Sequence, residues 1–493
     1  MKKVLFFLLI LPFFWTGCDT TSKLGADEVL YTGVKKMHIR PEEEGAKITS
    51  NAESAVRSAL SVKPNNALYS PYVRWPFPFG LWVYNHVEPQ KDKGFKHWFY
   101  DRFSKKPVLL STVQPDLRVA VIPDILANYG YFLSSADYSL IYNRKNPQKS
   151  RITYDVTYGK PWRYTSIDFP QPLTPLTAII DSAKTKTLLH VGDIYQSEIL
   201  SSERTRVTSA LRNRGYYFFR PDYLYYLADT TFASHEVALR LQLRSNIPME
   251  ALQTYRIGHI TFDLKSASRK GAVDSVGLSH VKFVYQKPLK VRKRYIDRNI
   301  TLKEGELYTL DHQNESLNSF SRMGIFRYVN LSVSPADSTI GNDILDLTFD
   351  AAMDSPMEAW FETDVTSATN SFIGPGVIFG VAHKNIFGGG ERLSIELSGS
   401  YEWQTGKRQT TTTKTSLVNS YEFGIKASLV FPRLLPSSLL WDSRIERRYG
   451  GKTTLELGAD LMNRPQYFRM LSLNASFALD FQTSSVSSHT VQL

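Results

Sequence analysis

The sequence predicts an α+β chain in which three small tandem repeats precede part of a transmembrane antiparallel β-barrel. Two observations predict this fold class. A helix, glycine, aromatic, strand pattern occurs three times, and the last third consists of long alternating segments without helical periodicity. A third observation, a short apolar run at the amino terminus, predicts that the chain is exported.

The amino terminus has the composition of a signal peptide. The letters "MKK" precede eleven mostly apolar residues, Val4 to Phe14, a run too short to span a bilayer. The only cysteine of the 493 residues, Cys18, follows in "WTGC". This stretch resembles a bacterial lipobox, although Trp15 stands where such a box usually has Leu, and the resemblance implies that Cys18 is lipidated. A buried or chance free cysteine is the alternative.

Composition excludes several classes of protein. Hydrophobic residues make up 42 % of the chain and the mean hydropathy is −0.26, with no second long apolar run, which excludes a helical membrane protein. No cysteine follows Cys18, so a disulfide scaffold and a thiolate metal site are excluded. The net charge of +12 is densest from Lys287 to Arg298. Because an exported lipoprotein rarely meets nucleic acid, we interpret this run as a solvated face or one facing anionic lipid headgroups, and expect no nucleic acid partner.

Three segments of the chain share one plan: Asp124 to Tyr142, Ser209 to Leu227 and Asn318 to Ser334. In each, a helix-like stretch ends at a glycine where the chain must turn sharply, a place that favours positive φ. These structural glycines are Gly130, Gly215 and Gly324. Leu126, Leu211 and Phe320 are expected on the last helical turn, and Tyr131, Phe132, Tyr216, Tyr217 and Phe326 are expected to staple each helix to its sheet.

Alternating segments flank each of these helices and predict strands. They are Leu30 to Ile39, Trp162 to Phe169 and Tyr255 to Asp263 before the helices, and Ser150 to Gly159, His235 to Leu243 and Asn342 to Ala351 after them. Two repeats also carry a "VGDIY" or "EGELY" turn, at Val191 to Tyr195 and Glu304 to Tyr308. Each repeat is therefore predicted as strand, helix, helix, strand, strand.

The first repeat contains an aromatic and proline-rich insertion, Ser70 to His86. Its Trp75, Phe77, Phe79 and Trp82 are expected to pack against the first repeat or a partner, because a free loop rarely exposes so many aromatic side chains. The alternative is a small core within the insertion itself.

The order of elements resembles the POTRA domain, the periplasmic module of the outer-membrane-protein assembly superfamily. An unrelated run of small α+β repeats is the alternative. The resemblance implies that the repeats lie in the periplasm of a bacterium with an outer membrane.

After Pro356 the strands reach about ten residues, with aliphatic side chains alternating with Gly, Ser, Lys and Glu, as in a transmembrane β-barrel. A soluble β-sandwich is the alternative. Examples of such segments are Gly376 to Phe387, Arg392 to Trp403, Tyr421 to Phe431, Thr453 to Leu461 and Arg469 to Phe481.

The stretch Gly374 to Glu402 is similar to the first barrel hairpins of the BamA and TamA families. There, Asn385, Phe387 and the glycines Gly388, Gly389 and Gly390 would form the turn. Three repeats resemble TamA more than BamA, which carries more. The lipobox, "FGLWVYN" and "LVFPRLLPS" resemble the TamA-like lipoproteins of Bacteroidota. The late-loop (V/I)RGF motif of such barrels is absent from the sequence.

Domain bounds follow from these patterns. We expect a signal peptide at 1–17, a tether at 18–28, POTRA-like domains at 29–159 (with the aromatic insertion extended to 70–106), 160–247 and 254–352, and a barrel portion at 356–493. The last region has room for about six to eight strands, fewer than a TamA-like barrel has. We therefore expect an N-terminal portion of a longer protein.

Catalytic patterns are not found. There is no HExxH motif, "GGKTT" and "GPGVIFG" miss the spacing of phosphate-binding loops, and no local motif supports a nucleophilic triad. We expect no enzyme, no catalytic residue, no metal and no cofactor.

Two functions remain open. One is an outer-membrane assembly factor that captures client strands on its repeats and helps them into the membrane; the other is a passive translocator or lipid conduit linking an inner-membrane partner to a pore. The resemblance implies unfolded outer-membrane proteins and membrane lipid as partners, and leaves a TamB-like partner open.

Overall fold

The structure is a computed structural model that describes residues 20–231, 234–265, 272–287, 290–336, 343–367, 372–404, 419–435, 449–464, 468–484 and 486–493. The described residues fall into two compact units, one within 1–207 and 221–245, the other within 208–220 and 246–493. Among them, no helix is both long and apolar enough to cross a membrane.

The first unit contains two three-stranded sheets with their helices. Its strands are β1 (Leu30–Pro41), β2 (Ser134–Tyr142), β3 (Lys149–Tyr158), β4 (Arg163–Asp168), β5 (Leu224–Asp229) and β6 (Glu236–Leu243). Its helices are α1 (Ser50–Leu60), α2 (Phe79–His86), α3 (Phe95–Phe103), α4 (Leu110–Val113), α5 (Pro115–Ala120), α6 (Ile122–Ala127), α7 (Pro175–Ala183) and α8 (Ser197–Arg212), whose last residues belong to the second unit.

Both sheets have the same topology. The strand orders are β1-β3-β2 and β4-β6-β5. The central strand, β3 or β6, is parallel to the first neighbour (β1 or β4) and antiparallel to the second (β2 or β5). In β3 the alternating residues Ile152, Tyr154 and Val156 are buried under Val56 of α1 and Leu126 of α6. The period-2 pattern of the central strand therefore builds the core of the first repeat.

A buried ion pair ties α8 to the loop before it. Glu203 is fully buried and accepts two hydrogen bonds of 2.7 Å from Arg206. It also accepts from Thr187 Oγ1 at 2.8 Å and from the Leu188 N–H at 3.1 Å. Burial opposes ionisation, but these donors outweigh it and hold the pKa of the Glu203 carboxyl below its ordinary value.

The second unit contains a five-stranded and a seven-stranded sheet. Its strands are β7 (Arg256–Lys265), β8 (Val273–Gly277), β9 (Lys282–Gln286), β10 (Phe326–Pro335), β11 (Ile344–Met353), β12 (Met357–Ser367), β13 (Phe372–Lys384), β14 (Arg392–Gln404), β15 (Asn419–Phe431), β16 (Gly451–Arg464), β17 (Phe468–Ser484) and β18 (Ser487–Gln492). Its helices are α9 (Lys293–Asn299) and α10 (Leu310–Arg322).

The third repeat has more strands than the sequence predicts. Its order is β10-β11-β7-β9-β8, so the expected three strands are extended by the antiparallel pair β8 and β9. This corrects the prediction of a strand, helix, helix, strand, strand unit. The core is aromatic, with the Phe262 ring centroid 4.9 Å from that of Phe320 and 6.0 Å from that of Phe349.

The strands of the seven-stranded sheet run from β12 to β18 in sequence order, and all neighbours are antiparallel. The seven strands found among the described residues agree with the roughly six to eight expected, and β12 and β18 lie outside the segments given as examples. The predicted fold class is confirmed, with α+β repeats followed by a sheet of long antiparallel strands.

Candidate functional site: repeat joints, strand edges and a two-faced sheet

A hydrogen-bonded joint follows α6 in the first unit. Gly130 has φ of +87°, and its carbonyl accepts from the Trp162 N–H at 2.9 Å. The Trp162 carbonyl in turn accepts from the Tyr195 N–H at 2.8 Å. The Phe132 ring lies 5.3 Å from Trp162 and 5.1 Å from Tyr195 between centroids. The helix-end glycine is thereby linked to the start of β4 and to the "VGDIY" turn.

The second unit contains a joint of the same design. Gly215, with φ of +93°, accepts from the Tyr255 N–H at 2.9 Å, and the Tyr255 carbonyl accepts from the Tyr308 N–H at 2.9 Å. The Tyr217 ring lies edge-on to Tyr308 at 4.9 Å, and Phe218 lies edge-on to Tyr255 at 5.2 Å. Burial raises the pKa of Tyr308 to about 12, so its phenol stays a neutral donor to Gln313. The aromatic residue after each glycine therefore packs on the following strand and turn.

Gly324 ends α10 with φ of +64°. The neighbouring Met323 carbonyl lies 3.3 Å from the position of a Cβ on Gly390, so the end of this helix lies beside the turn between β13 and β14. No comparable chain of backbone hydrogen bonds is present among the described residues around Gly324.

The turn from Asn385 to Glu391 packs against the basic segment of the third repeat. Asn385, with φ of +68°, donates from Nδ2 to the Lys290 carbonyl at 2.7 Å and accepts from the Gly390 N–H at 2.9 Å. The Gly388 carbonyl accepts from the Arg292 N–H at 2.9 Å. The turn is thus hydrogen-bonded at two points to the backbone of the basic segment.

The three glycines of this turn meet two different requirements. Gly388 and Gly390 both have φ of +86°, whereas Gly389 leaves room for the ring of Tyr295, which a Cβ would approach to 2.7 Å. The side chain of Glu391 is buried, accepts from the Gly389 N–H at 2.8 Å and pairs with Arg433 at 3.3 Å.

The basic run from Lys287 to Arg298 is only partly the solvated face that the sequence predicts. Val291 and Ile296 within it are buried, and its backbone binds the turn described above. The later part of the run forms α9 of a packed repeat, in which Arg294 and Arg298 are exposed while Ile296 is buried.

Two edge strands are closed by the chain itself. At β1, Arg74 of the insertion donates to the Thr32 and Val34 carbonyls at 3.1 and 2.9 Å. At β4, the Tyr164 N–H donates to the Asp193 carbonyl at 3.0 Å, and the Gly192 N–H donates back to Tyr164 at 2.8 Å. The "VGDIY" turn therefore covers an edge that another strand could otherwise extend.

Four other edge strands of the repeat sheets have no backbone partner on their outer side among the described residues: β2, β5, β8 and β10. Of these, β10 is the longest, with ten residues paired only to β11. Its Val329, Leu331 and Val333 pack on the core, whereas Asn330 and Ser332 point to solvent. Unpaired N–H and C=O groups on such an edge are a template for an added strand.

One face of the seven-stranded sheet is apolar and exposed. Direct cross-strand partners on it run through all strands from β12 to β17 in an unbroken row: Phe361, Phe379, Leu397, Ile425, Ala459 and Leu473. The large side chains of this row are between 48 % and 76 % exposed. The neighbouring odd-numbered positions, including Val377, Ile395, Phe423 and Leu457, are exposed as well. An apolar face of this extent is unusual for a surface in water.

The opposite face of the same sheet is polar. Trp360 lies over Gly380, where a Cβ would overlap its indole, and the Arg392 guanidinium lies 5.6 Å from the Trp360 ring. Lys426 pairs with Glu456 at 3.2 Å on this face. Alternation along each strand thus separates an apolar from a polar side.

The aromatic insertion forms a small cluster of its own. Phe79 and Trp82 of α2 stack with centroids 6.4 Å apart, and Phe79 also meets Phe103 of α3 edge-on at 6.2 Å. Trp75 stays 56 % exposed. The insertion therefore packs its aromatic side chains on one another, and part of this aromatic surface faces solvent.

Some predicted features lie beyond what the structure describes. Cys18 and the signal peptide are outside the described residues, as is the end of "LVFPRLLPS". Within the described part of the chain, no group of three or more His, Cys, Asp or Glu side chains is placed to hold a metal ion. The capping of β1 by Arg74 was missed, and no sequence signal points to it.

No protein-family model matches the chain, and no curated protein matches it. Solved structures do. A BamA from Haemophilus ducreyi lacking POTRA domains 1–3 is 12 % identical, with a TM-score of 0.33, over 67 % of this chain and 63 % of that one. The POTRA3–5 fragment of Haemophilus influenzae BamA is 13 % identical, with a TM-score of 0.32, over 67 % and 99 %. CdiB from Acinetobacter baumannii is 10 % identical, with a TM-score of 0.26, over 67 % and 62 %.

Proposed function

We propose that this protein is a non-enzymatic outer-membrane assembly or translocation factor of the TamA-like type, with the lipoprotein pattern of Bacteroidota. Its repeats bind extended client polypeptides, and its seven-stranded sheet is part of a membrane-embedded barrel wall. One observation carries the proposal: the second unit combines an unpaired strand edge, at β10, with a sheet whose exposed face is apolar.

Lipid explains the exposed apolar face better than water does. A strand of 13 residues such as β14 extends about 43 Å, so it crosses an apolar layer of about 25 Å even when tilted by roughly 45°. Tyr401, Trp403 and Tyr421 lie together near one end of β14 and β15, where aromatic side chains border a membrane. The polar opposite face then borders the barrel interior.

The outer edge of β10 suits an extended client. Adding a strand to an edge uses backbone hydrogen bonds and needs few specific side chains, which agrees with the lack of catalytic motifs. The exposed side chains of β10 near its middle, Asn330 and Ser332, are small and polar and leave the edge accessible. Clients in this proposal are unfolded outer-membrane proteins, whose strands alternate in the same way.

Anchoring completes the proposal. Cys18 stands at the end of the signal peptide, and acylation there would hold the amino terminus of the mature protein at the membrane. A single acyl chain binds only marginally, whereas two or three bind stably. The repeats would then lie in the periplasm.

Site-specific photo-crosslinking tests strand capture. A benzophenone amino acid at Ser332 of the full chain is expected to crosslink a fluorescent peptide that copies residues 392–403, a model client strand from this protein's own sheet. Thr261 provides the matched control, because Ser332, Thr348 and Thr261 are in register on successive strands and Thr261 lies two strands inward. That offset is about 10 Å. Equal crosslinking at both positions, or equal crosslinking of a scrambled peptide, would refute capture at this edge.

A further inference from the structure

The insertion of the first repeat carries an exposed aromatic surface on α3. Phe95, Trp98, Phe99 and Phe103 recur at the spacing of one helical face. Phe99 and Phe103 contact each other with centroids 4.9 Å apart and meet Phe79 of α2, so their inner side is packed. Phe95 and Trp98 remain 76 % and 56 % exposed. The outer half of an apolar face therefore points to solvent.

The segment that carries these aromatic side chains is rich in positive charge. Between residues 91 and 106 the chain has six exposed basic side chains, Lys91, Lys93, Lys96, Arg102, Lys105 and Lys106, against two aspartates, Asp92 and Asp101. We call the exposed Phe95 and Trp98 together with these six basic side chains the aromatic-basic patch. Aromatic rings flanked by lysine and arginine are typical of segments that lie in the headgroup region of an anionic membrane.

The start of the described chain lies against the same insertion. Lys23 Nζ donates to the Tyr84 carbonyl of α2 at 3.1 Å and to Glu88 at 2.6 Å. The Tyr84 ring in turn stacks on Tyr100 of α3 at 6.3 Å. Cys18 is five residues before Lys23, so their Cα atoms are separated by at most about 18 Å. This step rests on the lipidation proposed above: acyl chains on Cys18 would bring a membrane surface within reach of the patch.

We infer that the aromatic-basic patch docks on the anionic lipid surface to which the amino terminus is anchored, with Phe95 and Trp98 inserted between headgroups. The lysines supply attraction at a distance, and the rings supply burial of apolar area. A protein partner would use the same rings, but the excess of lysine over acidic side chains favours a surface of negative charge. The first repeat would then be held at the membrane by two contacts, the anchor and the patch.

A position-specific fluorophore tests this inference without the lipid anchor. In the full chain with Cys18→Ser, which removes the only native thiol, Phe95→Cys is labelled with NBD and the protein is reconstituted in vesicles. Tyr142→Cys is the control, an exposed aromatic position at the end of β2 in the same unit. Vesicles of phosphatidylglycerol and phosphatidylcholine in equal parts are compared with phosphatidylcholine alone. We expect a blue shift and a rise in emission at position 95 in the anionic vesicles only, and no change at position 142.

A charge variant sharpens the test. A variant that combines Lys91→Gln, Lys93→Gln and Lys96→Gln should need a higher phosphatidylglycerol fraction for the half-maximal emission shift. Equivalently, the apparent affinity of the aromatic-basic patch for the anionic surface should fall by about tenfold or more. These side chains are exposed, so the fold should not change.

Equal responses at positions 95 and 142, or a response at 95 that is independent of anionic lipid, would overturn the inference. A blue shift of the fluorophore at position 95 in native membranes but not in vesicles would also overturn the inference and indicate a protein partner. Because the Cys18→Ser variant has no lipid anchor, the result does not depend on whether Cys18 is lipidated in the wild-type protein.

Discussion

Gly130→Ala should open the joint of the first unit. A Cβ at position 130 would lie 2.7 Å from the Tyr195 carbonyl oxygen and 3.0 Å from Ile194 Cγ2, closer than non-bonded atoms pack. Gly192→Ala is the matched control, because Gly192 has a similar φ of +91° but no atom within 4 Å of its Cβ position. The two variants share the cost of a left-handed residue, about 1–2 kcal/mol, and differ in the clash.

The magnitude follows from the contacts at the joint. Relieving the clash requires Tyr195 to move, which breaks its hydrogen bond to Trp162 and strains the one from Trp162 to Gly130. Each is worth about 1 kcal/mol, and overpacking adds about 1–3 kcal/mol. We expect a local cost of about 3–7 kcal/mol for Gly130→Ala and about 1–2 kcal/mol for Gly192→Ala.

Hydrogen exchange measured by mass spectrometry on the full chain detects this difference locally. A difference of about 2–5 kcal/mol corresponds to roughly 30- to 5000-fold faster exchange in peptides that contain the Trp162 and Tyr195 amides. Exchange in the core of β3 should remain slow in both variants. Equal acceleration of the joint peptides in Gly130→Ala and Gly192→Ala would refute the reasoning, because it would leave only the φ penalty that they share.

Three further predictions concern the buried ion pair, the sheet and the anchor. Glu203→Gln should destabilise the second repeat by about 3–5 kcal/mol, whereas Glu198→Gln, at an exposed position, should behave as wild type. Because folding lowers the Glu203 pKa, the stability that its ionised form provides is present above the ordinary pKa of 4.5 and is lost as the pH falls through the lower folded value. The melting temperature of Glu203→Gln should therefore depend less on pH below 4.5 than that of the wild type. Leu397→Arg should impair membrane insertion, by about 2–4 kcal/mol at mid-depth, while Ser398→Arg on the polar face should insert normally, as measured by protease protection; similar losses in both would contradict a lipid-facing side. Cys18→Ala should abolish labelling by a fatty-acid analogue, and persistent labelling would disprove the anchor.

The sequence could predict the features that depend on local backbone geometry. Gly130 and Gly215 stand where a helix must stop and turn, a requirement that acts within a few residues and that glycine meets most easily. The two-faced sheet could also be predicted, since an alternation of apolar and polar residues sorts side chains to opposite sides of a strand.

Features that depend on distant contacts could not be predicted. Arg74 closes the edge of β1 from about 40 positions away, and nothing in its neighbourhood marks it as a cap. The strands β8 and β9 are short, and only their pairing beside β7 gives them a place in the sheet. Likewise, the segment before α9 looks like a charged surface until the turn at Asn385 is seen to bind its backbone.

The unbroken pairing of the seven-stranded sheet bears on how it forms. Each strand pairs only with its neighbours in sequence, so every contact within the sheet closes a short loop and the sheet can grow one hairpin at a time. A hairpin added one residue out of register would turn its leucines and phenylalanines to the polar side and its glutamates and lysines to the apolar side. If lipid covers that side, a mispaired strand would place its charged side chains in the bilayer at a high cost in free energy. The surrounding membrane would thus favour the correct register of each strand as the sheet is assembled.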